Sequence, residues 1–186
     1  MHDSQANAWK GAAAGLAAGL AATWVMTRFQ ELSGKLARVH ENDEPRDPQH
    51  SSKRGTAEST EGNGKGEDAT VKAAALLSRK LLHHELDERE KKIAGPAMHY
   101  GFGALTGLAY GALAELAPAV TRGAGAPFGT AVWLGADEVA VPVFRLAGPP
   151  WEHPPAVHAR ALAAHLVYGL TTEGVRRVVR RVLTAS

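Results

Sequence analysis

The chain has 186 residues, enough for one domain or for a handful of helices with a linker, and its net charge of +2 is too mild to argue for nucleic acid. It contains no cysteine, which excludes a disulfide framework, a thiolate metal site and a cysteine nucleophile. The 45% hydrophobic content and the mean hydropathy of −0.19 look soluble, but these averages blend one strongly polar block with several apolar ones.

In chain order, residues 1–30 carry an apolar run from Gly11 to Met26 inside a candidate span from Trp9 to Phe29. Only Lys10 closely precedes the run and its small residues are spread throughout, so it reads as a retained transmembrane helix rather than a cleaved secretory signal. Residues 31–95 form a polar linker. Within it, Glu41 to Asp68 is rich in charge, Ser, Gly and Pro and nearly free of large apolar residues. Such a composition buries too little surface to offset its conformational entropy and is expected to be disordered. An amphipathic helix is predicted near 70–93, with Leu77, Leu81 and Leu82 on one side and a solvated pair, His83 and His84. Residues 96–186 read as a three-helix membrane region, with spans from Pro96 to Ala117, Pro127 to Leu146 and Ala156 to Val175, and an Arg-rich tail. Each apolar segment is close to the roughly 20 residues needed to cross about 30 Å of hydrocarbon. The predicted fold is therefore an all-α integral membrane bundle of about four transmembrane helices, with a long, partly disordered polar connection between the first and second. A soluble four-helix bundle is the structural alternative.

Gly11, Gly15 and Gly19 in the first segment repeat the spacing of Gly103, Gly107 and Gly111 in the second. In water each glycine weakens a helix by roughly 1 kcal/mol relative to alanine. In lipid, rows of small residues instead let helices approach closely. The rows therefore favour a membrane, packing either within one chain or across a homodimer. Trp9 and Trp24 bracket the first span and Trp151 precedes the fourth, as interfacial tryptophans do.

A charge at the bilayer centre costs about 2.5 kcal/mol or more, so each ionisable residue in a span calls for a partner or a purpose. If the spans alternate in direction, Glu115 and Glu173 lie at one membrane face, beside Arg176, Arg177, Arg180 and Arg181, and would clamp helix depth. Asp137 and Glu138 sit mid-span in the third segment, about 100 degrees apart around a helix. With His165 at a similar depth in the fourth segment, and Pro142 bending the helix at the carbonyl of Glu138, they form a candidate proton or cation site. The opposing expectation is a hydrogen-bonded pair with His165 that serves packing alone. His99 stands about 24 Å from Glu115 at helical rise and cannot share a site with it. His158 and His165 share a face at a spacing compatible with metal ligation, but no H-E-x-x-H pattern accompanies them.

His99, Ala114-Glu115 and Pro118 in the second span, with Pro142, Pro149-Pro150, His165-Leu166-Val167, Glu173 and Arg176-Arg177 later, form a layout that resembles the YagU-like family of small bacterial inner-membrane proteins. The resemblance spans roughly Pro96 to Arg181. It implies an integral membrane protein of unestablished activity, with shared polar positions at His99, Glu115, His165, Glu173, Arg176 and Arg177. Asp137 and Glu138 do not map onto that pattern, and the polar insert is peculiar to this chain.

The terminal arginines argue for both termini on the cytoplasmic side, whereas Arg28, Lys35, Arg38, Lys91 and Lys92 in the long connection argue against it. No G-x-S-x-G, P-loop or zincin signature is present. No catalytic residue, metal or cofactor is therefore expected. The expected partners are the lipid bilayer and a second copy or another membrane protein. Two functions follow: membrane or proton homeostasis through Asp137, Glu138 and His165, or a structural, partner-binding role through the glycine-rich faces.

Overall fold

Helices account for the architecture of this computed structural model, which describes residues 2–43 and 69–185; no strand occurs among the described residues. Most of the polar insert, 44–68, lies outside them. The elements are α1 (His2–Asp43), α2 (Ala69–Leu77), α3 (Glu88–Leu116), α4 (Ala126–Trp133), the single turn α5 (Val141–Val143) and α6 (Pro155–Ala185). All four apolar segments are helical, so the all-α expectation holds. The first helix runs past Phe29 to Asp43.

The two glycine rows face each other. A Cβ on Gly15 would meet the Gly107 carbonyl and lie 2.8 Å from Gly111 Cα, while one on Gly19 would meet the Gly103 carbonyl. Gly11 opposes Gly111 in the same way, so α1 and α3 run antiparallel with backbone against backbone. Thr23 continues this seam against Gly103, and Ala14, Ala18 and Ala22 on the same helix are completely buried. The rows are used up within one chain. Of the two packings that the spacing left open, within one chain or across a homodimer, the rows adopt the first.

A second seam was not anticipated. A Cβ on Gly129 would meet the His165 carbonyl, and one on Gly169 would lie 2.7 Å from Gly129 N, which sets α4 antiparallel to α6. Gly125, just before α4, has φ +90°, and a Cβ there would meet the Gly169 carbonyl. Glycine is required there twice over, for backbone conformation and for space. Between the seams, Ala22, Met26, Ala164 and Tyr168 form the apolar core, flanked by Phe29, Phe128 and Val132.

The predicted helix over 70–93 is broken. The helical path of α2 widens over Ser78–Leu82 and stops at His83, whose φ of 53° is left-handed. Ser78 Oγ donates to the His84 carbonyl at 2.9 Å and closes the turn. Asp87 then starts α3 with a reciprocal cap: its side chain accepts from the Arg89 and Glu90 backbone, and Glu90 accepts from the Asp87 N–H at 2.8 Å. The D-E-R-E run at 87–90 is a capping box, which the predicted helix ran across. Asp87→Ala is expected to lower stability by about 1 kcal/mol in thermal unfolding. The Asp87 N–H, with the His84 ring beside it, holds the Glu90 carboxyl below the usual carboxylate range. The cap is thus complete above that range, and its contribution fades as pH falls through the lowered Glu90 value.

The third segment is an uninterrupted helical run from Ala126 to Val143. It meets Pro142 by widening to π geometry over Leu134–Ala140, with the Val141 N–H bonded to Ala136 O five residues back. A widened turn absorbs the missing N–H and the ring of proline without breaking the rod.

No described helix is both long and apolar enough to cross a membrane. The expectation that each of four segments is sufficient by itself is therefore not met. The short helices α2, α4 and α5 have too few residues to span, and in the long ones the glycines, threonines and charged residues, several of them on the seams, lower the mean hydropathy. Burial shows the complementary pattern. Glu173, Thr23 and Thr172 are the largest fully buried side chains, while Leu16, Leu20, Phe102, Leu105, Leu113, Leu134 and Leu170 are exposed.

Candidate functional site

The polar groups collect along α6, which runs parallel to α3. From its N-terminal half outward, His165, Tyr168, Thr172, Glu173 and Arg176 lie on its buried face at spacings of three, four, one and three residues, close to one helical stripe. Tyr168 donates to the Gly103 carbonyl at 2.6 Å and lies 2.8 Å from Thr106 Oγ1. Because Gly103 has no side chain, Thr23 can approach its backbone from the α1 side. Phe128 lies between the two buried tyrosines, 4.3 Å from the Tyr110 centroid and 5.9 Å from that of Tyr168.

One helical turn farther on is a network of carboxylates and arginines. Glu173 is 1% exposed and both its oxygens are doubly engaged. One oxygen accepts from Tyr110 OH at 3.0 Å and Arg176 Nε at 2.7 Å. The other accepts from Arg176 Nη2 at 3.0 Å and Arg177 Nε at 2.6 Å. Glu115 accepts from Arg180 Nε at 2.8 Å and Nη2 at 3.1 Å, and stands 3.7 Å from Arg176 Nη1. Arg176 thus bridges the carboxylates of α3 and α6. Gly11 makes room, since a Cβ there would strike the Glu115 side chain. A buried carboxylate with four charge-assisted or hydroxyl donors has no acceptor capacity left for a substrate.

At the other end of the seam the expected cluster of Asp137, Glu138 and His165 is not one site. Adjacent residues on a helix diverge, and the widened 134–140 stretch sends the two carboxylates to different partners. Asp137 Oδ2 lies 3.6 Å from His165 Nδ1, which donates to the Ala161 carbonyl at 2.9 Å. Glu138 instead pairs with His158 Nδ1 at 2.6 Å, and His158 Nε2 reaches the Pro150 carbonyl at 2.9 Å. His165 and Glu173 are eight residues apart, roughly 12 Å along the helix, so the two polar ends are separate. Among the described residues no group of three or more His, Asp and Glu is placed to hold a metal. His99 is half-buried within α3, its ring edge-on to that of Tyr100 at 6.1 Å.

Residues 77–174, more than half of the sequence, match the model of a family described as a protein of unknown function (DUF1440). The chain belongs to this family. No curated protein and no solved structure matches it. The DUF1440 match takes in Glu115, both histidine–carboxylate pairs and Glu173, whereas α1 and the arginines at 176, 177 and 180 lie beyond its ends.

Sequence reasoning missed Tyr110, Tyr168, Arg180 as the partner of Glu115, and His158 as that of Glu138. Tyr110 could have been found: it falls seven residues after Gly103, on the glycine face of the same helix. Tyr168 is three residues after His165 on the α6 stripe. The His158 pairing left no comparable sign, because it depends on the widened stretch before Pro142.

Proposed function

We propose that this chain is a small integral protein of the bacterial inner membrane whose role is structural or partner-binding. The observation that carries the proposal is the inverted burial. A bundle in water hides Leu and Ile, whereas here the buried positions are mostly Gly, Ala and Thr with Glu173 and Arg176. Among the described residues only Met26, Tyr110, Leu146 and Tyr168 are large apolar or aromatic side chains inside, and most leucines lie outside. Mean hydropathy taken around a whole helix counts the buried face, which lipid would never touch, so it understates what a bilayer meets. The resemblance to the YagU-like family and the cytoplasmic placement of both termini belong to the same proposal. The structural role is supported by Glu173, whose four donors leave it no open acceptor. Because the glycine rows are occupied, partners would meet the outer leucine faces. Carbonate extraction of membranes from expressing cells is the test: retention in the pellet is expected, and release into the supernatant would overturn the membrane reading.

A second reading, proton or cation handling, is favoured by one feature, the two carboxylate–histidine pairs whose carboxylates both lie within a π-helical stretch. It requires that Asp137→Asn with Glu138→Gln and His165→Gln reduce proton flux in reconstituted vesicles. Flux in the triple variant equal to that of the parent would remove the pairs from any transport role.

A further inference from the structure

We infer that the cleft between α2 and the start of α3 is a binding site for an anionic glycerophospholipid headgroup. The cleft has a volume of about 270 Å³ and its lining includes Lys72, Arg79 and Lys91 against a single carboxylate, Glu85, with Leu76 and Leu86 among its walls. Three cations around a space of this size, on an apolar base, match a phosphodiester attached to acyl chains.

The cleft is built by the fold and is not a chance gathering of surface lysines. Gly95 lets α2 seat on α3, since a Cβ there would lie 2.6 Å from Val71 Cγ2, and Ser78 fixes the turn that carries Glu85 and Leu86. Lys72 Nζ is held at 2.9 Å from the Leu146 carbonyl, and Lys91 Nζ at 2.9 Å from Glu88, a carboxylate outside the lining that offsets part of its charge, so two of the cations are positioned in advance. Arg79 is exposed and completes the cation set with a planar fork suited to two phosphate oxygens. Glu85 supplies an acceptor for a headgroup hydroxyl, which favours a hydroxylated headgroup such as phosphoglycerol over choline.

The position fits a lipid rather than a free anion. Leu77, Leu81, Leu82 and Ile93, each within three residues in sequence of Leu76, Arg79 or Lys91, are 50%, 67%, 74% and 70% exposed, and they would offer the apolar surface along which acyl chains lie. The site precedes Pro96, at the end of the bundle opposite the Glu115–Arg180 network, where headgroups would lie if the membrane reading above holds. The inference rests on that reading for its biological setting, but the binding itself does not.

The test uses the full chain in a nonionic detergent, titrated with dihexanoyl-phosphatidylglycerol, dihexanoyl-phosphatidylcholine and inorganic phosphate, with binding followed by calorimetry. The glycerol lipid is expected to bind at least tenfold more tightly than either alternative. Arg79→Gln is expected to weaken it by about tenfold while leaving the unfolding temperature unchanged, since the Arg79 side chain is exposed. Lys72→Gln with Lys91→Gln should abolish it. Equal affinity for the two lipids, or an unaltered titration in the Arg79 variant, would overturn the proposal. Phosphate binding as tightly as the glycerol lipid would overturn the lipid assignment. Because the probes are dispersed in solution, failure here is distinct from release of the protein by carbonate.

Discussion

Gly107→Leu is expected to destabilise the bundle by about 3 kcal/mol or more, the upper end of overpacking costs, and to prevent accumulation of folded protein. Even the first added carbon would stand 2.5 Å from the Gly15 carbonyl oxygen and 2.7 Å from Gly19 Cα. These are backbone atoms of an opposing helix and cannot rotate aside as a side chain would. The helices would have to separate, which would also open the contacts of Gly11, Gly19, Gly103 and Gly111 along the same seam. Gly101→Ala is the matched control. It lies in the same helix, and a Cβ there would have nothing within 4 Å, so it should leave stability unchanged or raise it by up to about 1 kcal/mol. Thermal unfolding of both variants in detergent reads the difference. Because the seam is internal, the oligomeric state of whatever folds should be that of the parent.

Glu173→Ala should cost about 3–5 kcal/mol, the range for removing one partner of a buried ion pair. Arg176, 7% exposed, would keep its charge in the core with only the distant Glu115 carboxylate at 3.7 Å, and Tyr110 would lose its acceptor. The same reasoning predicts a partial recovery. Glu173→Leu combined with Arg176→Leu removes both charges and should be more stable than Glu173→Ala alone, since apolar replacement of a whole buried pair is often neutral. If the double variant is the less stable of the two, the network does more than neutralise itself. Chemical denaturation midpoints of the three proteins decide this.

The glycine rows were legible because close backbone packing leaves a strict signature: glycine at every fourth residue on two helices. Their antiparallel register, Gly11 to Gly111 and Gly19 to Gly103, and their confinement to one chain were not, since either geometry satisfies the same spacing. The second seam escaped notice because Gly125 and Gly129 meet a single glycine, Gly169, and the rest of that surface is the His165 backbone. The shared location of Glu115, Glu173 and the arginines followed from helix direction alone. The assignment of arginines to carboxylates did not, because three long side chains can reach two acceptors in several ways. Asp137 and Glu138 were expected to act with His165 on the basis of depth. A widened helix changes the angle between successive residues, and no local propensity announces it beyond Pro142. The break at His83 to Asp87 was not legible from Leu77, Leu81 and Leu82, which all precede it, although the Asp87 and Glu90 capping pair was present in the sequence.

The central claim is that the large apolar side chains outside this bundle face lipid. The native sequence has no cysteine, so single cysteines at Leu16, Leu105 and Leu170, all exposed, can be spin-labelled without background and the protein reconstituted in phosphatidylglycerol-containing vesicles. Collision of the labels with molecular oxygen, which partitions into hydrocarbon, is predicted to exceed collision with a water-soluble nickel chelate at all three positions. Higher nickel collision at these positions would place them in water and contradict the account.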